Sequence, residues 1–277
     1  MTAVKKAGDY MPIHLQSLTA KSNDSGLLAA LLQGALDHSD AAVISEDQNY
    51  IQIAQFLVDM LSGQRVGKLV YTMFRNADEK SLNVLDLDIT LDSVSTTQLF
   101  FLKKLPASSD ANEYYDVEAT DGGQRLQVET VNRYLIRQDI ENTAQTVRTS
   151  AFPFRITVYK DHDELNRELG FSGQRAVAPD MEQIGLHEHF AAPGSLSQEE
   201  ALKGETFSVI VGTVRSVRDV EVCFGKTRIP FVIAQIDSAL GLLPTAMGRD
   251  VFDLDGLVPG AAVIMYADIK ADFAVEQ

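Results

Sequence analysis

Several side chains of the types that bind metal ions fall between residues 180 and 189. The imidazoles of His187 and His189 are separated by one residue, so an extended chain can bring both to one metal ion. Asp180, Glu182 and Glu188 add carboxylates nearby, but the pattern fixes no third ligand. Since this segment is acidic whatever its role, we favour a solvated connection and predict neither a metal ion nor another cofactor.

A second group of carboxylates alternates along a predicted strand at Asp86, Asp88 and Asp92. Alternate residues of a strand share one face, where oxygen ligands can hold a hard cation. Carboxylates in such a pattern more often face water, so we favour a strand with a solvated polar face. The acidic stretch at 253–256 is a fragment of a calcium-loop pattern and predicts an ordinary turn.

Motifs for nucleotide binding and covalent catalysis are missing from the chain. It contains no complete glycine-rich phosphate-binding loop and no GxSxG nucleophile elbow. The single cysteine, Cys223, lies in a strand pattern and is predicted to be a small core residue. We therefore predict no catalytic residues, although an enzyme site assembled from residues distant in sequence is kept as a third hypothesis.

Basic and aromatic residues are grouped around a predicted hairpin near the C-terminus. The candidate ligand-binding residues are Arg215, Arg218, Phe224, Lys226 and Arg228. Single-stranded nucleic acids bind to surfaces that combine positive charge with aromatic rings on which bases stack. In the alternative interpretation Phe224 is a core residue, and the basic side chains form a solvated rim with Asp219 and Glu221.

The elements that position this hairpin are predicted from 205 to 266. A β-branched run begins at Phe207, and its apolar residues change from odd to even positions after Gly212, which predicts a β-bulge there. A hairpin turn at 225–226, a short strand near 240–244, a turn at Pro259-Gly260 and a final strand follow. A long bent first strand followed by these elements resembles a five-stranded OB-type β-barrel over about 70 of the 277 residues. That resemblance implies a face for oligonucleotides or oligosaccharides.

The N-terminal part predicts strands with few helices. A leucine stripe predicts a helix at about 26–38, and 41–54 predicts strand, turn and strand, with a helix over 47–61 as the alternative. Strict alternation at 85–92 predicts one buried and one solvated face. A hairpin around Asp121-Gly122-Gly123, a strand over 152–158 and a short helix capped by Asp161 follow.

These elements predict two domains and no internal repeat. Residues 1–177 are expected to form an α+β domain, an antiparallel sheet with two or three helices. Residues 178–203 are expected to be a linker, because they lack periodicity and contain proline, glycine and acidic residues. Residues 204–277 are expected to form the small OB-like β-barrel.

The charge of the chain limits its partners. The formal net charge is −15, and acidic side chains outnumber basic ones on both sides of residue 193. Nucleic acids and anionic membranes attract positive surfaces, so this balance argues against both as partners. No apolar run reaches the ~20 residues of a membrane span, which predicts a cytoplasmic protein. We predict a non-enzymatic interaction or accessory protein that acts through a protein partner; the alternative is an oligonucleotide-binding module that uses hairpin 215–228.

Overall fold

The computed structural model describes a protein that consists mostly of β-strands. The described residues are 15–20, 24–36, 41–46, 50–76, 81–106, 113–120, 122–131, 139–169, 189–194, 206–224 and 226–273. Three short helices occur in these ranges, α1 (Leu15–Leu18), α2 (Ser25–Leu36) and α3 (His162–Glu168). In this part of the chain no helix combines the length and the apolar character needed to cross a membrane.

A small sheet follows α2. Its four strands are β1 (Ala41–Glu46), β2 (Tyr50–Val58), β3 (Arg65–Asn76) and β4 (Ser81–Leu91). They pair in sequence order, and every pair is antiparallel. The two strands predicted within 41–54 are thus confirmed, and the alternative helix over 47–61 is wrong because β2 occupies most of it; residues 47–49 of the predicted turn lie outside the described ranges.

A larger sheet contains the other nine strands. They are β5 (Thr97–Lys104), β6 (Glu113–Ala119), β7 (Arg125–Thr130), β8 (Thr143–Tyr159), β9 (Phe190–Pro193), β10 (Ser208–Phe224), β11 (Thr227–Ser238), β12 (Gly241–Met247) and β13 (Ala262–Phe273). The pairs β12–β8 and β7–β13 are parallel, and the other pairs are antiparallel. The prediction of an α+β fold with an antiparallel sheet therefore needs correction, because the protein is mostly β and its main sheet is mixed.

The larger sheet closes on itself in two rings of hydrogen-bonded strands that share β8 and β13. Ring 1 runs β5–β6–β7–β13–β8 and back to β5. Ring 2 runs β10–β11–β12–β8–β13 and back to β10. Each ring has five strands, and the antiparallel pair of β8 with β13 forms a wall common to both.

The two rings repeat one topology. In each, three strands form an antiparallel meander, and a long fourth strand returns to pair with the first. That fourth strand also runs parallel to the third strand of the other meander, so each ring takes its fifth strand from the other half. The two rings therefore repeat the same order of strands, and the sequence pattern did not reveal this repeat.

The exchange of strands bears on the predicted division into domains. Most of the predicted linker, 178–203, lies outside the described residues, but β9 falls within it and pairs with β10. Strands from both sides of this linker belong to one hydrogen-bonded sheet. The boundaries 1–177 and 204–277 remain a prediction, and any division there cuts both rings.

The bulge in β10 lies beyond the predicted position. Gly212 pairs regularly with Val263, and the register with β11 changes between Val214 and Ser216, so Arg215 is the extra residue. Gly212 has a different reason to be glycine: a Cβ atom there would lie 2.4 Å from the carbonyl oxygen of Asp237. The glycine permits close approach of two strands, and the bulge follows it.

Four clusters of buried apolar residues occur in the described ranges, and three of them are large. One fills ring 1 with residues from all five of its strands, among them Phe101, Tyr115 and Phe273. A second fills ring 2, with Val232, Ala234 and Ile236 at its centre. The third lies outside ring 2 and joins the small sheet, α1 and α2 to β10, β11 and β12. The small sheet is thereby packed against the outer surface of ring 2.

Candidate functional site

The hairpin residues that were predicted to bind a ligand do not form one surface. Phe224 is 4% exposed and belongs to the core between ring 2 and the small sheet, so its ring is not available for stacking. Arg215 Nε donates to Asp237 at 2.9 Å, and Arg228 donates to Glu221 at 3.0 Å. Arg218 and Lys226 are exposed. The β10–β11 hairpin is confirmed, whereas its binding role stays a prediction.

Only some of the residues considered for metal binding are described by the structure. Residues 180–188 lie outside the described ranges, and His189 faces Asp237, with 3.4 Å between Nε2 and Oδ1. Asp88 pairs with Lys270, and Asp92 pairs with Arg65. Within the described ranges, no group of three histidine, cysteine or acidic side chains is arranged to hold a metal ion.

The partner of Asp88 belongs to a buried ionic cluster. Lys270 of β13 is 0% exposed, and its Nζ lies 2.5 Å from Asp88 Oδ1 and 2.5 Å from Glu129 Oε2. Burial alone would lower the pKa of Lys270, but the two carboxylates raise it above its ordinary value. The cluster joins β4 to β7 and β13, and a lysine held in its charged form is a poor nucleophile.

Two further acidic groups of β13 lie beside the cluster. Lys68 of β3 pairs with Asp272 at 2.6 Å, which makes a second ionic contact between the sheets. Burial raises the pKa of Asp268 to about 6, while Lys270 lowers it and Asp88 raises it. The solvated polar face predicted for 85–92 is therefore wrong at Asp88 and Thr90, which are 4% and 2% exposed.

Exposed apolar side chains are grouped around the β2–β3 turn of the small sheet. Phe56, Val58, Met60 and Leu61, at the β2–β3 turn, are 41%, 44%, 53% and 66% exposed. We call these four residues the apolar turn patch. Large apolar side chains that are neighbours and open to water mark surfaces used for contact with other molecules.

A buried aspartate fixes the turn that carries the patch. Asp59 is 2% exposed; its Oδ1 accepts from the backbone N–H groups of Leu61 at 3.1 Å and Glu221 at 3.0 Å, and its Oδ2 accepts from the Ser62 hydroxyl at 2.5 Å. Desolvation raises the pKa of Asp59, but these hydrogen bonds outweigh it and leave the pKa lowered. The Met60 N–H also donates to the Glu221 carbonyl at 2.7 Å. The turn is therefore anchored to β10 of ring 2 by two hydrogen bonds with the backbone of Glu221.

Charged residues border the patch. The Arg65 guanidinium lies 3.9 Å from the centroid of the Phe56 ring, and Arg65 also pairs with Asp92 at 2.8 Å. The Asp92 N–H donates to the Val66 carbonyl, which ties the β4–β5 connection to this end of the sheet. Val94 of that connection is 84% exposed. Arg65 and Asp92 therefore border the patch on the side of Phe56.

The sequence did not single out this turn. Phe56, Val58 and Leu61 occur in a short apolar run, and such a run has the same composition as a core strand or the buried face of a helix. The available signal was local: Asp59 precedes Ser62 and Gly63, which has φ of +71°, and this is the chemistry of a tight turn. A turn at 59–63 would have placed Met60 and Leu61 at its exposed tip.

Comparisons with known proteins add no relative to these observations. A scan against protein-family models, a search of curated proteins and a search of solved structures each found no match to the chain.

Proposed function

We propose that this protein is a non-enzymatic interaction protein that binds a protein partner through the apolar turn patch. Two observations together support the proposal. Met60 and Leu61 are more than half exposed, and the buried side chain of Asp59 holds the turn that carries them against ring 2. A rigid apolar group loses little conformational entropy on binding, so a preorganised turn gives more affinity than a flexible one.

The partner we propose presents an apolar groove bordered by basic side chains. The chain carries a net charge of −15, so its field attracts a basic surface and raises the rate of association with it. A second copy of the chain carries the same charge, and repulsion opposes self-association. Met60 and Leu61 would enter the groove, and Phe56 and Val58 would cover its edge.

We also propose that both rings are OB-type barrels, since each closes five strands, and that ring 2 does not use the strand face that such barrels offer to oligonucleotides. That surface is formed by the second and third strands. In ring 2 these strands are β11 and β12, and Ile229, Phe231, Ile233 and Ala246 of their outer face pack against the small sheet. The alternative, oligonucleotide binding by hairpin 215–228, therefore has less support.

The proposal is tested with the double variant Met60→Ser/Leu61→Ser. The matched control is Val258→Ser, which makes the same kind of change at a side chain that is 57% exposed and distant in sequence from the patch. Partners are captured from native lysate with each protein, identified by mass spectrometry, purified, and titrated by calorimetry at several salt concentrations. The double variant is expected to lose about thirtyfold in affinity, which corresponds to ~2 kcal/mol for an interface hot spot.

The same titrations contain the outcomes that count against the proposal. Equal affinity of the wild type and the double variant excludes the patch as the binding surface. A partner whose affinity does not fall with added salt contradicts the proposed basic groove. Fluorescence anisotropy with short single-stranded DNA at low salt tests the alternative function, and saturable binding that Arg218→Glu abolishes would favour it.

A further inference from the structure

A cavity of about 420 Å³ lies at the junction of the two rings. Its walls come from the start of β5, the β6–β7 turn, the residue before β9, and the β11–β12 turn. Side chains that line it include Ser95, Thr97, Gln124, His189, Asp237 and Leu242. Its volume lies in the range of sites that hold small molecules.

Hydrogen bonds between these segments fix the cavity walls. Thr97 Oγ1 donates to the Leu240 carbonyl at 2.7 Å, which joins β5 to the β11–β12 turn. Gln124 Nε2 donates to the His189 carbonyl at 2.6 Å, and Gln124 Oε1 accepts from the Ala191 N–H. Gln124 thus bonds to the residues before and after Phe190, the first residue of β9. Ring 1 and ring 2 each supply a wall that is already ordered.

The charged groups of the cavity compensate one another. Asp237 accepts from Arg215 Nε at 2.9 Å and lies 3.4 Å from His189 Nε2. One carboxylate therefore has a guanidinium and an imidazole beside it, and its charge is balanced without a ligand. Neither a strongly anionic nor a strongly cationic compound finds an uncompensated opposite charge here.

We propose that this cavity binds a neutral polyhydroxylated small molecule, a monosaccharide or a polyol. The hydroxyl groups of Ser95 and Thr96 and the amide of Gln98 supply both donors and acceptors, which match ligand hydroxyls. The Asp237 carboxylate accepts a ligand hydroxyl in a charge-assisted hydrogen bond. Leu242, which is 37% exposed, covers the C–H surface of the ligand. This site is separate from the apolar turn patch and does not depend on the proposed partner.

Saturation-transfer difference NMR and calorimetry test the site with defined probes. The neutral probes are D-glucose, N-acetyl-D-glucosamine, myo-inositol and sorbitol, which separate ring-shaped from linear compounds. Inorganic phosphate and spermidine are the charged probes. At least one neutral probe is expected to bind in saturable fashion, and neither charged probe is expected to compete with it.

Three variants connect binding to the cavity. Asp237→Asn keeps the shape of the side chain and is expected to weaken binding by about tenfold, because it removes a charge-assisted hydrogen bond. Ser95→Ala, a milder change to the wall, is expected to weaken it by about threefold. The matched control is Asp255→Asn, the same change at an exposed carboxylate that does not line the cavity, and it should bind as the wild type does.

The proposal is overturned if none of the four neutral probes binds, or if only phosphate or spermidine does. It is also overturned if Ser95→Ala and Asp237→Asn both bind a neutral probe as tightly as Asp255→Asn does. Circular dichroism of each variant shows whether it is folded, and the Ser95→Ala result decides the matter if Asp237→Asn is not.

Discussion

The two faces of β4 are both buried over residues 87–90, but by opposite chemistry. On β4, Leu87 and Ile89 enter the apolar core against α1, α2 and ring 2. Asp88 and Thr90, which alternate with them, are equally buried on the other face, where Asp88 meets Lys270 of β13. One face docks on ring 2 through apolar contacts, and the other docks on β7 and β13 through paired charges.

This difference separates what stabilises a contact from what specifies it. Apolar packing is non-directional, so a sheet can slide over an apolar surface at modest cost. A buried ion pair adds little net stability but strongly penalises any arrangement that leaves one charge alone. We infer that the polar face fixes the position of the small sheet on the larger one, while the apolar face supplies most of the stabilisation.

The largest effect is expected from Lys270→Met, which breaks the polar face by leaving Asp88 and Glu129 without their cation. Removing one partner of a buried ionic group costs about 3–5 kcal/mol of unfolding free energy. Urea denaturation followed by fluorescence or circular dichroism measures the loss. A change below about 1 kcal/mol would show that the cluster is hydrated in solution and would contradict the comparison.

The triple variant Asp88→Leu/Glu129→Leu/Lys270→Met is the matched control. It removes all three groups together, so it should recover most of the loss caused by Lys270→Met alone. If the triple variant regains its stability but shows different amide hydrogen exchange in β4, the charges fix the position of the small sheet and do not stabilise the fold. If the triple variant is as unstable as the single one, packing defects explain both.

A pH effect on the order of 2 kcal/mol is expected next, from Asp268 on the same polar side. Its ordinary pKa is 3.8, and the pKa in the folded protein is about 6. Between these values the folded state binds a proton that the unfolded state does not, so the unfolding free energy should rise as pH falls from 7 towards 5. Well above pH 7 both states are ionised and this contribution is constant.

Asp268→Asn isolates the titration from that of other acidic groups. In this variant the unfolding free energy should rise less between pH 7 and pH 5 than it does in the wild type. Urea midpoints recorded at each pH measure the difference. Identical pH profiles for wild type and variant would mean that Asp268 is solvated and ionised throughout this range.

A smaller loss is expected on the apolar face from Ile89→Val. Deleting one buried methylene at a side chain that is 0% exposed costs about 0.5–1.5 kcal/mol. Thermal and urea unfolding should agree on the value. A loss as large as that of Lys270→Met would remove the contrast between the faces.

The smallest effect on stability is expected from Met60→Ser/Leu61→Ser at the exposed turn. Exposed side chains outside special features change stability by about 0.5 kcal/mol or less. The variant should unfold at the same urea concentration as the wild type while losing its partner. A marked destabilisation would instead show that these side chains belong to the core.

Sequence patterns predicted local pairing well. The β2, β6, β7, β10 and β11 strands were expected, because alternation and turn residues such as Gly122-Gly123 act over a few positions. The bulge was expected at Gly212 and lies at Arg215, because a change of phase shows that an extra residue exists but only pairing shows which one it is.

Contacts between distant segments were not predictable in the same way. Alternation over 152–158 indicates that β8 has a buried face, but nothing in those residues names β12 and β13 as neighbours. Asp88, Glu129 and Lys270 are charged residues in strands far apart in the sequence, and a solvated position is the ordinary expectation for each of them. The cavity at Asp237 likewise requires four segments that only the closed rings bring together.

Both rings contain β8 and β13, so neither ring can close before β13, the last strand, has been synthesised. The wall of ring 1 between β7 and β8 stays open until β13 has left the ribosome, although β5, β6 and β7 emerge much earlier. Until then the nascent chain exposes unpaired strand edges and the apolar lining of ring 1, which are the surfaces that chaperones bind and along which chains aggregate. Truncation ahead of β13 should therefore yield a chain that is insoluble as a whole, rather than one folded half and one unfolded half.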